Sequence, residues 1–135
     1  VTLKKPGDDI KYSWKHVNSG TIDAIVTDEI QNGVATSSFN SIEEGSAEYD
    51  ALMARWLENM YPEADWDGDG VTTFEERIKT SENIRYSYES YSGNTLSPGK
   101  SHSDSVQISW IDGSTELPKG NVVMNIDFAF VYSQK

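Results

Sequence analysis

Asp65, Asp67, Asp69 and Glu76 occupy positions 1, 3, 5 and 12 of the stretch DWDGDGVTTFEE, residues 65–76. Carboxylates at this spacing can wrap one hard cation, which takes six to eight oxygens at roughly 2.3–2.6 Å. Gly70, at position 6, permits the sharp backbone turn the loop needs. Val71 at position 7 would lend its carbonyl, and Thr73 at position 9 would reach the ion directly or through water. The pattern D-x-D-x-D-G-x5-E is the calcium loop of an EF-hand. The expected metal ligands are therefore Asp65, Asp67, Asp69, Val71, Thr73 and Glu76, with Ca2+ as the bound ion. An acidic solvated loop that matches by chance is the competing reading.

The flanks decide between the two. Tyr49, Leu52, Met53, Trp56, Leu57 and Met60 recur at helical spacing and predict an incoming amphipathic helix. Pro62 ends it. Phe74, Arg77 and Ile78 predict a short outgoing helix, with Glu75 and Glu76 suited to its first turn. Position 8 holds Thr72, where paired loops usually carry an aliphatic residue, and no second loop of this kind occurs. A lone loop reads as a structural clamp with a Kd of about 10⁻⁴–10⁻³ M. Trp66, at position 2, is expected to point outward, and Tyr91 to be exposed.

The helix–loop–helix, residues 46–80, interrupts a chain of strand character. Ile10, Tyr12, Trp14 and His16 alternate with Lys11, Ser13 and Lys15, predicting a strand with one buried face. Asn18-Ser19-Gly20 marks a turn, and a second strand runs through Ile22, Ala24 and Val26. Asn32-Gly33 is a hairpin signal. Residues 34–40 are expected to form a short strand, followed by a helix cap at Ser41-Ile42-Glu43-Glu44. Ile84, Tyr86 and Tyr88 alternate again; residues 92–104 read as a long surface loop; Val106, Ile108 and Trp110 form a strand that turns at Asp112-Gly113-Ser114. One last strand is expected from Val122 through Met124, Ile126, Phe128 and Phe130 to Tyr132. Short strands between turn signals indicate an antiparallel β-sandwich.

Length fits one domain over residues 1–135. A net charge of −11 argues against nucleic acid or anionic membrane as partner. No cysteine is present, which excludes disulfides and thiol catalysis, and no window is apolar enough to span a membrane. No signal peptide is visible, and the abrupt start Val1-Thr2-Leu3 reads as a processed or incomplete chain. Lys4, Lys5, Lys11 and Lys15 cluster near the start while acids dominate residues 43–89. This is solvated surface, or an electrostatic guide that aligns successive subunits.

Catalytic motifs are lacking. There is no H-E-x-x-H and no G-x-S-x-G, and the histidines are His16 and His102. His16 reads as a core histidine of its strand and His102 as solvated, so no catalytic residue is assigned. Trp14, Trp110, Tyr86, Tyr88 and Tyr91 fill a core at period-two positions, or else form the platform of a carbohydrate-binding module.

Leu3-Lys4-Lys5-Pro6-Gly7-Asp8-Asp9, then Trp14 to Gly20 (WKHVNSG) and Thr21-Ile22-Asp23, resembles a K-P-G-D turn leading into a strand that ends in N-S-G. Val106 to Trp110, Asn125 to Phe128 and Val131 to Gln134 resemble the closing strands of the same family. This is the TasA/camelysin family, and the resemblance covers roughly residues 3–30 and 104–134. It implies a secreted jelly-roll domain that polymerises into extracellular fibres of the biofilm matrix. Related pilus-like filaments join by donor-strand complementation, the addition of one subunit's terminal strand to the next subunit's sheet. Family members carry a strand before the K-P-G-D turn, whereas here the turn comes almost at once. Camelysin relatives have been labelled metalloproteases, a role for which this chain lacks the motif.

The expectation is thus a mainly β protein, an antiparallel β-sandwich of jelly-roll type with an inserted EF-hand. It would act at the cell surface as a head-to-tail filament subunit stabilised by calcium, without catalysis. The alternative is a calcium-stabilised carbohydrate-binding or adhesion module with glycan partners.

Overall fold

Alternating apolar and polar side chains suit a pleated strand with one buried face, and the computed structural model forms strands where that alternation is clearest. The structure describes Leu3, residues 5–111 and residues 116–134. Val1, Thr2, Lys4 and Lys135 lie outside the described residues, as does the expected turn at Asp112-Gly113-Ser114. In chain order the elements are β1 (Asp9–Val17), β2 (Ala24–Gln31), β3 (Val34–Ala35), α1 (Thr36–Asn40), α2 (Ala47–Met60), β4 (Glu63–Ala64), α3 (Phe74–Asn83), β5 (Ile84–Tyr88), β6 (Thr95–Leu96), β7 (Ser101–Trp110), β8 (Val122–Val123) and β9 (Phe128–Gln134).

The protein is mainly β, and every sheet is antiparallel. One sheet has the order β1-β7-β5, with Trp14 opposite Asp104 and Tyr86 opposite Ile108. In the second sheet β2 pairs with β3 at one end, with β6 at the other and with β9 along its length. Aromatic side chains join the two sheets: the Trp14 ring lies 5.1 Å from Phe128 and 5.9 Å from Phe130, and His16 meets Phe130 edge-on at 4.5 Å. Among the described residues β1 pairs only with β7 and β9 only with β2, so each leaves one edge unpaired.

The helices belong to the same core. Leu57, Met60 and Tyr61 pack with Val106 and Ile108 of β7 and with Met124 in one buried cluster. The hairpin at Asn32-Gly33 forms as expected. Gln31 faces Val34 across a two-residue loop, and φ values of 50° and 77° are those of the turn that matches strand twist. Asn32 also exchanges hydrogen bonds with Asp127 through its N–H and Oδ1, each 2.8 Å, and accepts one from Asn59 of α2. The turn thus ties α2 to the approach of β9.

Four expectations change. Residues 34–40 are a two-residue strand followed by the short helix α1, whose start is fastened by Asp28: its carboxylate accepts from the Ser37 N–H and hydroxyl. Ser46, and not Ser41, caps α2, accepting from the Tyr49 N–H at 3.1 Å. The stretch 92–104 is not all loop, since β6 and the first half of β7 lie in it. The last apolar run splits into β8 and β9, because β8 pairs with β4 while β9 pairs with β2.

Because α2 and the β7 sheet share one core, Leu57→Ala, at a side chain only 1% exposed, is expected to cost about 2–5 kcal/mol. Urea unfolding followed by tryptophan fluorescence and by far-ultraviolet dichroism should give coincident transitions shifted together. Helix melting ahead of the sheet would contradict a shared core.

Candidate metal centre

The acidic loop hangs between two helices whose ends are both secured. At the close of α2 the Tyr61 N–H reaches the Leu57 carbonyl at 2.8 Å. Arg77 of α3 crosses over, donating from Nε to the Tyr61 carbonyl at 2.9 Å and from Nη2 to Pro62 at 3.4 Å. Thr73 and Glu76 form a capping box at the start of α3: the Thr73 hydroxyl accepts from the Glu76 N–H, and Glu76 Oε1 accepts from the Thr73 N–H.

Between these anchors the side chains turn inward on the backbone. Asp65 Oδ1 accepts from Gly68 N–H at 2.9 Å and Asp69 N–H at 3.1 Å, while Oδ2 accepts from Gly70 N–H at 2.9 Å. Gly68 and Gly70 have φ of 81° and 80°, left-handed values that let the chain curl around Asp65. Asp67 accepts from Asp69 N–H, and Asp69 from Val71 N–H. Glu76 Oε2 closes the ring by accepting from the Trp66 and Asp67 N–H groups. One carboxylate oxygen from each of Asp65, Asp67, Asp69 and Glu76 then lies within 4.8 Å of the others. Oxygens on opposite sides of an ion bound at 2.3–2.6 Å stand roughly 4.6–5.2 Å apart, so this donor set fits a divalent cation.

The electrostatics separate Asp65 and Glu76 from Asp67. Burial works to raise the Asp65 carboxyl, but the amides of Gly70, Gly68 and Asp69 outweigh it and hold it below the usual range. Glu76 behaves alike: burial raises it, and the Trp66, Thr73 and Asp67 amides bring it lower still. Asp67 differs. The Asp69 amide lowers it, yet the shared hydrogen bond and charge repulsion with the Asp69 carboxylate, together with burial, leave it raised.

Of the six expected ligands, the structure brings the four carboxylates together. Val71 and Thr73 sit in the same loop; the Thr73 hydroxyl is engaged with Glu76 in the helix cap, 3.2 Å from Oε1. Thr72 accepts from the Ala64 N–H at 3.0 Å. Trp66 corrects the sequence reading. It is 5% exposed, donates from Nε1 to Thr80 Oγ1 at 2.9 Å and lies under Lys79 Nζ at 4.9 Å. α3 stands against the ring and covers it.

A feature with no local sequence signal stands beside the loop. β4 pairs with β8, Glu63 to Val123 and Ala64 to Val122, and the contact continues into the loop itself. Asp65 N–H donates to Asn121 O at 2.8 Å, Gly120 N–H to Asp65 O at 2.9 Å and Lys119 N–H to Trp66 O at 3.1 Å.

The remaining candidate groups fall elsewhere. His16 is 3% exposed; Trp14 Nε1 donates to its Nε2 at 3.3 Å, and Nδ1 hydrogen-bonds the Tyr132 hydroxyl, a core histidine as expected. His102 is not solvated. It lies in β7 opposite His16, half-buried, with the Tyr91 ring stacked on it at 3.9 Å, so Tyr91 is half-buried as well. Of Trp14, Trp110, Tyr86, Tyr88 and Tyr91 none is exposed. No helix among the described residues is long and apolar enough to cross a membrane. Comparison with protein-family models, with curated proteins and with solved structures gives no match.

The sign of each carboxyl shift sets a pH prediction for the metal-free chain. Asp65 and Glu76, lowered in the fold, contribute stability that is present above their unfolded values near 4 and is lost as pH falls through their lower folded values. Asp67, raised in the fold, opposes stability once it is ionised. In chelator at neutral pH, Asp65→Asn should therefore lower the melting temperature and Asp67→Asn should raise it. Equal shifts of one sign for both variants would contradict the assignment.

Proposed function

We propose that this chain is a structural subunit of an extracellular filament or surface matrix, assembled by strand addition between copies and stabilised by calcium. The observation that carries the reading is the pair of unpaired edges, β1 and β9, facing each other across the aromatic core. A groove of about 360 Å³ opens there, lined by Tyr12, Trp14, Val106, Met124, Ile126 and Phe128. An added strand would pair its backbone with groups that have no sheet partner among the described residues and seat alternate side chains in this groove. Tyr12, Val131 and Tyr132 are 44%, 43% and 46% exposed on the two edge strands, apolar surface that such a contact would cover. A head-to-tail contact of this kind does not close and so builds a filament. The resemblance of residues 3–30 and 104–134 to the TasA/camelysin family supports the same reading, along with a jelly-roll topology and a secreted, cell-surface location.

Calcium is the ion that the loop pattern favours: its many-oxygen, flexible coordination suits three aspartates, a glutamate and a backbone carbonyl at EF-hand spacing, whereas Mg2+ demands near-ideal octahedral geometry. Asp65, Asp67, Asp69 and Glu76 would hold it, with the Val71 carbonyl and Thr73 completing the shell. The ion would neutralise the crowded carboxylates and lock α2 to α3. Binding only to the folded loop, calcium at millimolar concentration with a Kd of about 0.1 mM would add roughly 1.4 kcal/mol of stability.

Two measurements test the reading. Calcium should raise the melting temperature of the unmodified chain, and Glu76→Gln should abolish the rise; equal melting with calcium and with chelator would remove the clamp. Electron microscopy and sedimentation of the concentrated chain should show linear assemblies that Tyr12→Lys together with Val131→Lys disperses. A monomer at every concentration, alone and with peptides matching its own strands, would overturn the filament reading.

A further inference from the structure

Gly120 lies against the first carboxylate of the loop. A Cβ built on it would fall 2.2 Å from Asp65 Oδ2, 2.5 Å from Cγ and 2.8 Å from Cβ, closer than side-chain atoms approach one another. Gly120 is not among the glycines with positive φ, so its backbone is one that alanine also adopts. What the position demands is space, not conformational freedom. Asp65 has little room to yield, since three backbone amides already hold its carboxylate. The neighbouring Lys119 also lies near the loop, though less tightly: a Cβ at Gly68 would meet Lys119 Cβ at 3.1 Å. Three backbone hydrogen bonds, between Asp65 and Asn121, Gly120 and Asp65, and Lys119 and Trp66, fasten this segment alongside the loop.

We infer that residues 119–121 form the second wall of the cation site, and that Gly120 is a positioning residue for divalent-cation binding, clearing the space in which Asp65 presents its carboxylate. The segment gives a solitary loop backbone support at its first two residues, Asp65 and Trp66. Cation binding and docking of residues 119–121 are then coupled: an ion that draws Asp65 into place strengthens the seam, and a seam that opens loosens Asp65. The coupling has a route onward, because Asn125 N–H bonds the Met60 carbonyl at 2.7 Å and Asp127 is held by Asn32 just before β9. The inference rests on the calcium reading above.

Calcium titration of the full chain by calorimetry tests it, comparing the unmodified protein, Gly120→Ala, and Leu117→Ala, a 58% exposed side chain outside that wall. Gly120→Ala should weaken calcium binding by about 10–100-fold, the usual cost of disturbing a residue that orients a ligand, while Leu117→Ala leaves it unchanged. Melting temperatures separate this from a general loss of stability: Gly120→Ala should shrink the rise that calcium produces, whereas a purely structural role would lower both melts equally and spare the affinity. If the unmodified chain binds no calcium, the calcium reading fails and takes this inference with it. If the unmodified chain binds and Gly120→Ala binds as tightly, only the inference fails. Should Gly120→Ala not fold, hydrogen exchange on the unmodified chain decides: calcium must slow the Lys119 and Gly120 amides, and unchanged rates overturn the coupling.

Discussion

Four carboxylates with oxygens within 4.8 Å of one another are the constraint around which residues 60–80 are arranged. Like charges this close resist ionising together, and the raised carboxyl of Asp67 records the part of that repulsion the backbone does not relieve. The rest is relieved locally. Amide groups of residues 66–70 and 73 point at Asp65, Asp67 and Glu76, so the loop keeps its curl through its own backbone dipoles. Lys79 contributes little direct compensation, since its ammonium pairs with Glu116 at 2.6 Å and covers the Trp66 ring. A shape maintained by hydrogen bonds and still rich in negative charge is what a cation site requires.

The loop is built into the body of the protein. Leu57, Met60 and Tyr61 bring α2 into the same cluster as Val106 and Ile108, and burial within it lifts the Tyr61 hydroxyl pKa to about 12. Thr80 and Trp66 seal the loop against α3 by a buried hydrogen bond. On the remaining side β4, β8 and residues 119–121 form a short two-stranded seam. A two-residue pairing is weak alone and survives because both partners are anchored elsewhere, one by α2 and the other by its run toward β9. Motion of the loop is therefore motion of several elements at once, so an ion bound there would stiffen more than the loop.

The sheets carry a different tension. Trp14, His16 and Tyr88 of one layer meet Phe128 and Phe130 of the other with ring centroids 4.5–5.9 Å apart. Yet both strands that contribute most of these rings, β1 and β9, stand at edges. The result is a body well packed through its centre in which, among the described residues, β1 and β9 each keep an unpaired edge, as β5 does in the first sheet, with a groove beside β1 and the approach of β9. Such an edge invites another strand, and it is the feature on which the proposed assembly depends.

Local patterns settled much of this from the residues alone. The acidic loop, its two helices, the Asn32-Gly33 hairpin and the alternating faces of β5 and β7 follow from short-range chemistry: ligand spacing, helical and strand periods, and glycine at left-handed turns; in β1 the expected buried face is broken by Tyr12, which is exposed. Tertiary structure decided whatever depends on a distant partner. Trp66 is buried because α3 returns over it, His102 is covered because Tyr91 folds onto it, and the last apolar run breaks because β4 claims Val122 and Val123 while β2 claims Phe128 to Gln134. Gly120 is the plainest case. In the chain it follows Pro118-Lys119 with nothing to mark it; only the fold brings it within reach of a side chain fifty-five residues earlier, and no local period encodes that contact.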